Sequence, residues 1–230
     1  MPLPLAIIIA AVVISGAIVY SNGHKGGDLD PKKGGPAEVT DNSNSQINPE
    51  NIKPVDSNDH IYGDINAPIK VVEFSDLECP YCSRVHPTLK QLIDQSNGQV
   101  AWVFRHFPLS GHKNAMVQAV GAECVAKLGG EDKFWEYINF AFSNQSIGDK
   151  EAVVTVASNL GLNADEVRSC IDSGEVNNLV NEDKQDASNS GARGTPHSII
   201  LGPKGDVYAV SGAQPLQVFQ QVVAKIISEQ

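Results

Sequence analysis

The chain has 230 residues, 41% of them hydrophobic and 6% aromatic, with a formal net charge of −10 and four cysteines. This length fits one domain with an insertion, and the composition is sufficient for an ordinary hydrophobic core. Acidic residues outnumber basic ones and no Lys/Arg run is interleaved with aromatic residues, which argues against a nucleic-acid partner.

The N-terminal segment from Leu3 to Tyr20 is uncharged and apolar. As a helix, these residues would extend about 27 Å, which approaches the thickness of the hydrocarbon core of a bilayer. We interpret residues 1–20 as a membrane anchor, with a signal peptide cleaved after Ser15-Gly16-Ala17 as the alternative. Three lysines follow this segment, and the positive-inside rule would place them in the cytoplasm, but long domains are translocated largely regardless of such charges.

Residues 21–60 are rich in Gly, Pro, Asn, Asp and Ser and contain few large apolar side chains. This composition predicts a flexible linker, because the segment has little apolar surface to bury. A flexible chain of about 40 residues would span on the order of 35 Å root-mean-square. The predicted organisation is therefore a membrane segment, a linker and one folded domain over residues 61–230.

A predicted strand leads directly into a pair of cysteines at the start of a predicted helix. Ile69–Phe74 is a β-branched, apolar run typical of a buried strand, and Cys79-Pro80-Tyr81-Cys82 precedes apolar residues spaced by three and four. Pro80 suits the first helical position, where no amide hydrogen bond is lost. The free amides and the dipole of the helix would stabilise a Cys79 thiolate and make it a nucleophile. Cys82, one turn later, would then resolve the mixed disulfide.

Two other interpretations of the cysteine pair are weaker. A zinc site needs two further ligands, whereas the remaining cysteines, Cys124 and Cys170, are isolated in the sequence. A purely structural disulfide across so short a loop would constrain the unfolded chain little. We therefore expect a redox-active pair with no metal and no other cofactor, and we assign no role to any individual histidine.

The rest of the domain alternates between strand and helix patterns. Val100–Phe107 is a second predicted strand, and residues of about 111–190 have helical periodicity throughout. Ser198–Leu201 and Asp206–Val210 flank a Gly-Pro-Lys-Gly turn and predict a hairpin, and Leu216–Ile227 predicts a closing helix. The order of the elements predicts an α/β unit that is interrupted by an all-helical insertion.

Four segments resemble the DsbA-like branch of the thioredoxin superfamily, namely Phe74–Cys82, Phe104–Leu109, Lys133–Tyr137 and Gly194-Thr195-Pro196. Glutaredoxins also carry CPYC, but they have only a few dozen residues between this motif and the proline, whereas Pro196 lies 114 positions after Cys82. The resemblance covers about residues 61–227. It implies an α/β thioredoxin fold with an inserted all-helical subdomain at about 111–190.

The resemblance also implies roles for particular residues. Pro196 matches the cis-proline that faces the redox pair, where a residue without a backbone N–H cannot donate a hydrogen bond. Thr195 would tune the redox properties and hold substrate through its backbone, and Pro80 and Tyr81 would also contact substrate. Glu73 matches the buried acid of the family, whose raised pKa would let it exchange protons with the thiols. An ordinary loop proline and a strand residue that reaches solvent are the alternatives for Pro196 and Glu73.

The two remaining cysteines fall on the apolar faces of two predicted helices inside the insertion. In an oxidising compartment, Cys124 and Cys170 would form a structural disulfide. Such a bridge would stabilise the domain by about 4 kcal/mol in the chain-entropy model. The alternative is that both are free and buried, acting as small apolar residues.

The expected function is that of an extracytoplasmic thiol–disulfide oxidoreductase, anchored in the membrane by residues 3–20 or secreted after cleavage. It would oxidise thiols of exported proteins, and the resemblance implies a membrane partner similar to DsbB or to vitamin K epoxide reductase that reoxidises it. A disulfide reductase or isomerase is one alternative, and a noncatalytic peptide-binding or chaperone module is another. We expect a monomer, because residues 21–60 do not resemble the added domain through which isomerases of this superfamily commonly dimerise.

Overall fold

The computed structural model describes residues 51–144 and 147–229. The predicted membrane segment, residues 1–20, and most of the predicted linker lie outside the described residues. Within the described ranges, every helix is too short or too polar to cross a bilayer.

A mixed five-stranded sheet forms the centre of the domain, and its strands in chain order are β1 His60–Tyr62, β2 Ile69–Ser75, β3 Val100–His106, β4 His197–Leu201 and β5 Val207–Ser211. Their order across the sheet is β1-β3-β2-β4-β5. Strands β2 and β3 are parallel, whereas β1 pairs with β3, β4 with β2 and β5 with β4 in the antiparallel sense. The two parallel strands are buried almost throughout, which explains why they read as continuous apolar runs in the sequence.

Two helices of the α/β unit pack together over one face of the sheet: α1 Pro80–Gln95 and α7 Leu216–Ser228. Their apolar side chains share a core cluster with the sheet, in which Leu89 and Val222 join Ile69 and Ile200. Because α1 starts where β2 ends, this packing fixes the position of the residues that link the two elements.

Five further helices lie between β3 and β4, namely α2 Ala115–Gly129, α3 Glu131–Asn144, α4 Lys150–Asn159, α5 Ala164–Ser173 and α6 Asn177–Asn189. The predicted α/β fold with an all-helical insertion is therefore confirmed. Cys124 of α2 and Cys170 of α5 are joined by a disulfide, with their Cα atoms 5.9 Å apart. The bridge joins α2 to α5, and the apolar cluster around it also contains Val120 of α2 and Val180 of α6.

The folded domain begins earlier than the boundary predicted at residue 61. Ile52 is only 5% exposed and packs in a core cluster with Val72, Phe74 and Val103 of the sheet. Strand β1, which is only three residues long, was not predicted from the sequence. The predicted linker is therefore wrong over residues 51–60, which belong to the domain.

Arg105 of β3 explains how this polar segment is held against the sheet. The guanidinium group is fully buried, and it donates to both oxygens of the Asp59 carboxylate at 2.8 and 2.9 Å and to Asp186 of α6 at 2.5 Å. It also donates to the carbonyl oxygens of Lys53 and Pro54 at 2.9 and 3.2 Å. Asp59, which looks like a surface residue in the sequence, is thus neutralised inside the protein.

Candidate active site

The cysteine pair lies at the junction between β2 and α1. Cys79 is the N-cap residue of α1, with φ −79° and ψ 120°, and Pro80 is the first helical residue. The Cys79 N–H donates to the Asp76 carbonyl oxygen at 3.0 Å, and the Ser83 N–H donates to the Cys79 carbonyl oxygen at 3.2 Å. Both Cys79 and Cys82 are free thiols, placed at the positive end of the helix dipole.

The loop that precedes β4 lies against this junction, although it is distant in the sequence. The peptide bond between Thr195 and Pro196 is cis, and β4 follows it with His197 opposite Phe74 of β2. The Cys79 Sγ lies 3.4 Å from the carbonyl oxygen of Thr195, to which the protonated thiol can donate a hydrogen bond. Pairing of β4 with β2 therefore places the predicted proline loop against Cys79.

The pKa values of the two thiols are shifted in opposite directions. The pKa of Cys79 is lowered to about 5, mainly by a hydrogen bond from the Cys82 thiol. The Thr195 side chain and the backbone N–H groups of Cys82 and Tyr81 also lower it, whereas burial acts in the opposite direction. The Thr195 hydroxyl is buried and has no hydrogen-bond partner among the described residues, so its proton is available to a Cys79 thiolate. Burial raises the pKa of Cys82, as do its hydrogen bond to Cys79 and the negative charge of Glu73. Cys79 is therefore a thiolate at neutral pH, whereas Cys82 keeps its proton.

Glu73 of β2 is an acid in the interior of the sheet, with no exposed surface. Its Oε1 accepts a hydrogen bond from Ser75 Oγ at 2.9 Å, and its Oε2 has no hydrogen-bond partner among the described residues. The pKa of Glu73 is raised to about 8. Burial is the main cause and the charge of Cys79 adds to it, whereas hydrogen bonds from Ser75 and the Trp102 indole act in the opposite direction. The carboxyl is therefore mostly protonated at pH 7.

Asp76 connects the cysteine loop with the loop between β3 and α2. Its carboxylate accepts hydrogen bonds from the Glu78 N–H, the Leu109 N–H and His112 Nδ1, each at 2.8 Å. Its own backbone N–H donates to the Cys82 Sγ at 3.4 Å. Asp76 is only 2% exposed, and its hydrogen bond raises the pKa of His112 above the ordinary value for histidine.

The two residues between the cysteines are exposed to solvent. Tyr81 is 54% exposed, and the Arg84 guanidinium carbon lies 5.3 Å from the centroid of its ring. Pro80 is also exposed. Over residues 51–144 and 147–229, no group of three or more His, Cys, Asp or Glu side chains is arranged to hold a metal ion.

The sequence matches a protein-family model described as thioredoxin over residues 56–210, which is about two thirds of the chain. The chain belongs to the thioredoxin family.

Solved structures place this thioredoxin-family chain in the DsbA-like branch. DsbA2 of Pseudomonas aeruginosa superposes with a TM-score of 0.65 and 27% identity, over 76% of this chain and 97% of the other. α-DsbA1 of Wolbachia pipientis superposes with a TM-score of 0.65 and 25% identity, over 79% and 96% of the two chains. BdbD of Bacillus subtilis, at 20% identity and a TM-score of 0.65 over 77% and 97%, shares the fold.

The curated relatives include longer proteins of another kind. The Na(+)/H(+) antiporter NhaA 3 of Salinispora tropica is 32% identical over 151 residues, which is 65% of this chain but 22% of the antiporter. NhaA of Herminiimonas arsenicoxydans is 31% identical over 150 residues, 65% of this chain and 23% of the antiporter. The thioredoxin-family chain thus spans about a fifth of the length of these relatives.

The residues predicted for the site are adjacent in the thioredoxin fold. Cys79, Cys82, Thr195 and Pro196 meet where β2 ends and β4 begins. Glu73 lies two residues before Ser75, the last residue of β2. Two polar residues of the site, Asp76 and His112, were not predicted. Asp76 resembles any loop aspartate, and His112 reaches the site only because the loop after β3 folds back, so the sequence alone offered no sign of either.

Proposed function

We propose that this chain is an extracytoplasmic protein thiol–disulfide oxidoreductase that works mainly as a dithiol oxidase. The proposal rests on the acidic thiol of Cys79 at the start of α1, with a pKa of about 5. A stabilised thiolate favours the reduced form of the pair, so the disulfide form is a stronger oxidant. At pH 7, a thiol with this pKa stabilises the reduced state by about 3 kcal/mol, which corresponds to roughly 60 mV in reduction potential.

Oxidation of a substrate proceeds in two exchanges. A substrate thiolate attacks the Cys79 sulfur of the Cys79–Cys82 disulfide, which forms a mixed disulfide and releases Cys82 as a thiolate. A second substrate thiolate then attacks the substrate sulfur of the mixed disulfide, and the acidic Cys79 leaves readily as a thiolate. The substrate has lost two electrons, and the pair of cysteines has gained them.

Glu73 supplies the proton that the first exchange requires. The Cys82 thiolate that leaves has a raised pKa and takes up a proton at neutral pH. Glu73, with a pKa of about 8, holds a proton at that pH, and Ser75 hydrogen-bonds the Glu73 carboxyl at 2.9 Å and also interacts with Cys82. In the reverse sense, the carboxylate accepts the Cys82 proton when a partner reoxidises the pair.

The substrates of this reaction are exported proteins with free thiols, which bind against Pro80, Tyr81 and the backbone of Thr195. The cis Pro196 holds that backbone next to Cys79, and the exposed ring of Tyr81 offers an apolar contact. A membrane protein similar to DsbB or to vitamin K epoxide reductase takes the two electrons. Residues 3–20 hold the monomer at the outer face of the membrane, or are removed on secretion. We assign no antiport activity, because the match covers so little of the antiporters.

The reduction potential of the Cys79–Cys82 couple tests the direction of electron flow. After equilibration with glutathione buffers, we expect a value near about −120 mV, whereas a value near about −270 mV would indicate a reductase. The oxidised protein should also form disulfides in a reduced, unfolded substrate.

Two serine variants separate the enzyme from a peptide-binding module. Cys79→Ser should abolish substrate oxidation, and Cys82→Ser should trap a mixed disulfide between Cys79 and the substrate. If Cys79→Ser retains the full effect on substrate folding, the chain acts as a noncatalytic chaperone and the proposal is wrong.

A further inference from the structure

The aspartate before the cysteine pair contacts both cysteines and a second loop at once. Its backbone N–H donates to the Cys82 Sγ at 3.4 Å, and its carbonyl oxygen accepts from the Cys79 N–H at 3.0 Å. The side chain of Asp76 has no exposed surface and accepts from His112 Nδ1 at 2.8 Å. His112 is therefore connected to the redox pair through a single buried residue.

The Asp76 carboxylate fixes the loop between β3 and α2 in place. Its Oδ2 accepts from the Leu109 N–H and from His112 Nδ1, while its Oδ1 accepts from the Glu78 N–H. Glu78 in turn accepts from the backbone and side-chain N–H groups of Asn114 at 2.6 and 3.0 Å. Two carboxylates thus join the cysteine loop to the start of the helical insertion.

His112 faces three acidic groups, all from the loop between β2 and α1. These are the carboxylates of Asp76 and Glu78 and the thiol of Cys79, and each of them favours the charged form of the imidazole. The His112 side chain is 30% exposed, whereas the Asp76 side chain that it contacts has no exposed surface. Removal of its charge would leave the Asp76 carboxylate buried beside Cys79 with no compensating cation.

We propose that Asp76 and His112 form a positioning pair for the redox centre, in which Asp76 fixes the loops and the charged imidazole of His112 favours the Cys79 thiolate. The inference rests on the proposed function, because it assigns the acidity of the same cysteine partly to a residue outside the CPYC motif. A positive charge near a cysteine favours its thiolate over its thiol, and by linkage the thiolate favours the charged imidazole.

Three variants separate the charge of His112 from its hydrogen bond. His112→Gln keeps a side-chain donor for Asp76 and removes the charge, whereas His112→Lys keeps the charge. Lys113→Gln removes a neighbouring exposed charge and serves as the matched control. Alkylation of the reduced proteins with iodoacetamide between pH 3 and 8, followed by peptide mass spectrometry, measures the thiolate fraction of Cys79 without any substrate.

We expect His112→Gln to reduce the Cys79 thiolate fraction on the acid limb of this titration by roughly three- to tenfold. The equilibrium constant with glutathione should move by a similar factor toward the disulfide form. His112→Lys should recover at least half of each effect, and Lys113→Gln should change either by less than twofold. Circular dichroism would check that the variants keep the fold.

A proton NMR titration of His112 gives an independent measurement on the wild-type chain. Its pKa should be higher in the reduced protein than in the Cys79–Cys82 disulfide form, because only the former carries the thiolate. The inference is overturned if His112→Gln leaves the Cys79 titration within twofold of wild type, or if His112→Lys behaves like His112→Gln. Failure of the wild-type chain to oxidise thiols would instead reject the proposed function and leave these two readouts valid.

Discussion

The Cys79 sulfur and the Thr195 carbonyl oxygen lie 3.4 Å apart, although the two residues are 116 positions apart in the chain. Strand pairing between β2 and β4 brings them together, with Phe74 opposite His197. The nucleophile therefore belongs to one loop and part of its environment to another, and substitutions in either loop should change its chemistry.

Replacement of Thr195 by valine tests this dependence. The variant keeps the shape of the side chain but removes the hydroxyl that helps to lower the pKa of Cys79. We expect the Cys79 pKa to rise above about 5, since one hydrogen bond to the thiolate is lost. Absorbance of the thiolate at about 240 nm, followed against pH, would measure the shift. Thr155→Val, on an exposed face of α4, is the control, and an equal titration of both variants would contradict the expectation.

Replacement of Glu73 by glutamine should change how stability depends on pH. The pKa of Glu73 rises from an ordinary value of 4.5 in the unfolded chain to about 8 in the folded protein. Its folded pKa is raised, so its stabilising contribution is complete below pH 4.5 and is lost as the pH rises toward 8. Between pH 4.5 and 7, the reduced wild type should lose roughly 3 kcal/mol more than Glu73→Gln.

Urea unfolding of the reduced proteins at several pH values would measure this difference. Glu136→Gln is the matched control, since that carboxylate is exposed and forms only a surface ion pair with Lys133. Parallel pH profiles for wild type and Glu73→Gln would show that the carboxyl of Glu73 does not carry the predicted shift.

Removal of the Cys124–Cys170 disulfide should destabilise the helical insertion. The bridge closes a loop with a sequence separation of 46. The chain-entropy model then predicts a loss of about 4 kcal/mol in the free energy of unfolding for the Cys124→Ala/Cys170→Ala variant. Chemical denaturation would measure the loss, with the Cys79→Ala/Cys82→Ala variant as the control because its loop is far shorter. A loss below about 1 kcal/mol would argue against a stabilising role for the bridge.

Replacement of Arg105 by leucine should release the segment over residues 51–59. Without the guanidinium group, the carboxylates of Asp59 and Asp186 would be buried with no cation, which typically costs about 3–5 kcal/mol. Limited proteolysis should then cleave near Lys53, where wild type is protected. Arg168→Leu breaks only exposed ion pairs and should cost less than about 1 kcal/mol. Unchanged protection of Lys53 would refute the assigned role of Arg105.

The sequence was informative wherever local chemistry determines structure. The apolar run of β2, the proline at the start of α1 and the side chain of Asn163, which caps α5 by accepting from the Asp165 and Glu166 N–H groups, all follow from short-range rules. The helical insertion was predicted from the helical periodicity of residues 111–190, together with the resemblance to DsbA-like proteins that the spacing between Cys82 and Pro196 supports.

Features that depend on distant partners were missed. Aspartates such as Asp59 and Asp186 are expected at the surface from their residue type. Only the fold shows that both form buried ion pairs with Arg105. The same holds for Asp76 and His112, which come from different loops. Strand β1 escaped notice because three residues are too few for a period to be visible.

The composite origin of the redox centre also has a consequence for biosynthesis. Thr195 is added to the growing polypeptide 116 residues after Cys79. At about 5–20 residues per second, the ribosome needs roughly 6–23 seconds to cover that distance. Throughout this interval the Cys79 thiol lacks the Thr195 donor, and a nascent chain carries CPYC without its full acidity. The full acidity of Cys79 is thus acquired only after Thr195 has been added to the chain.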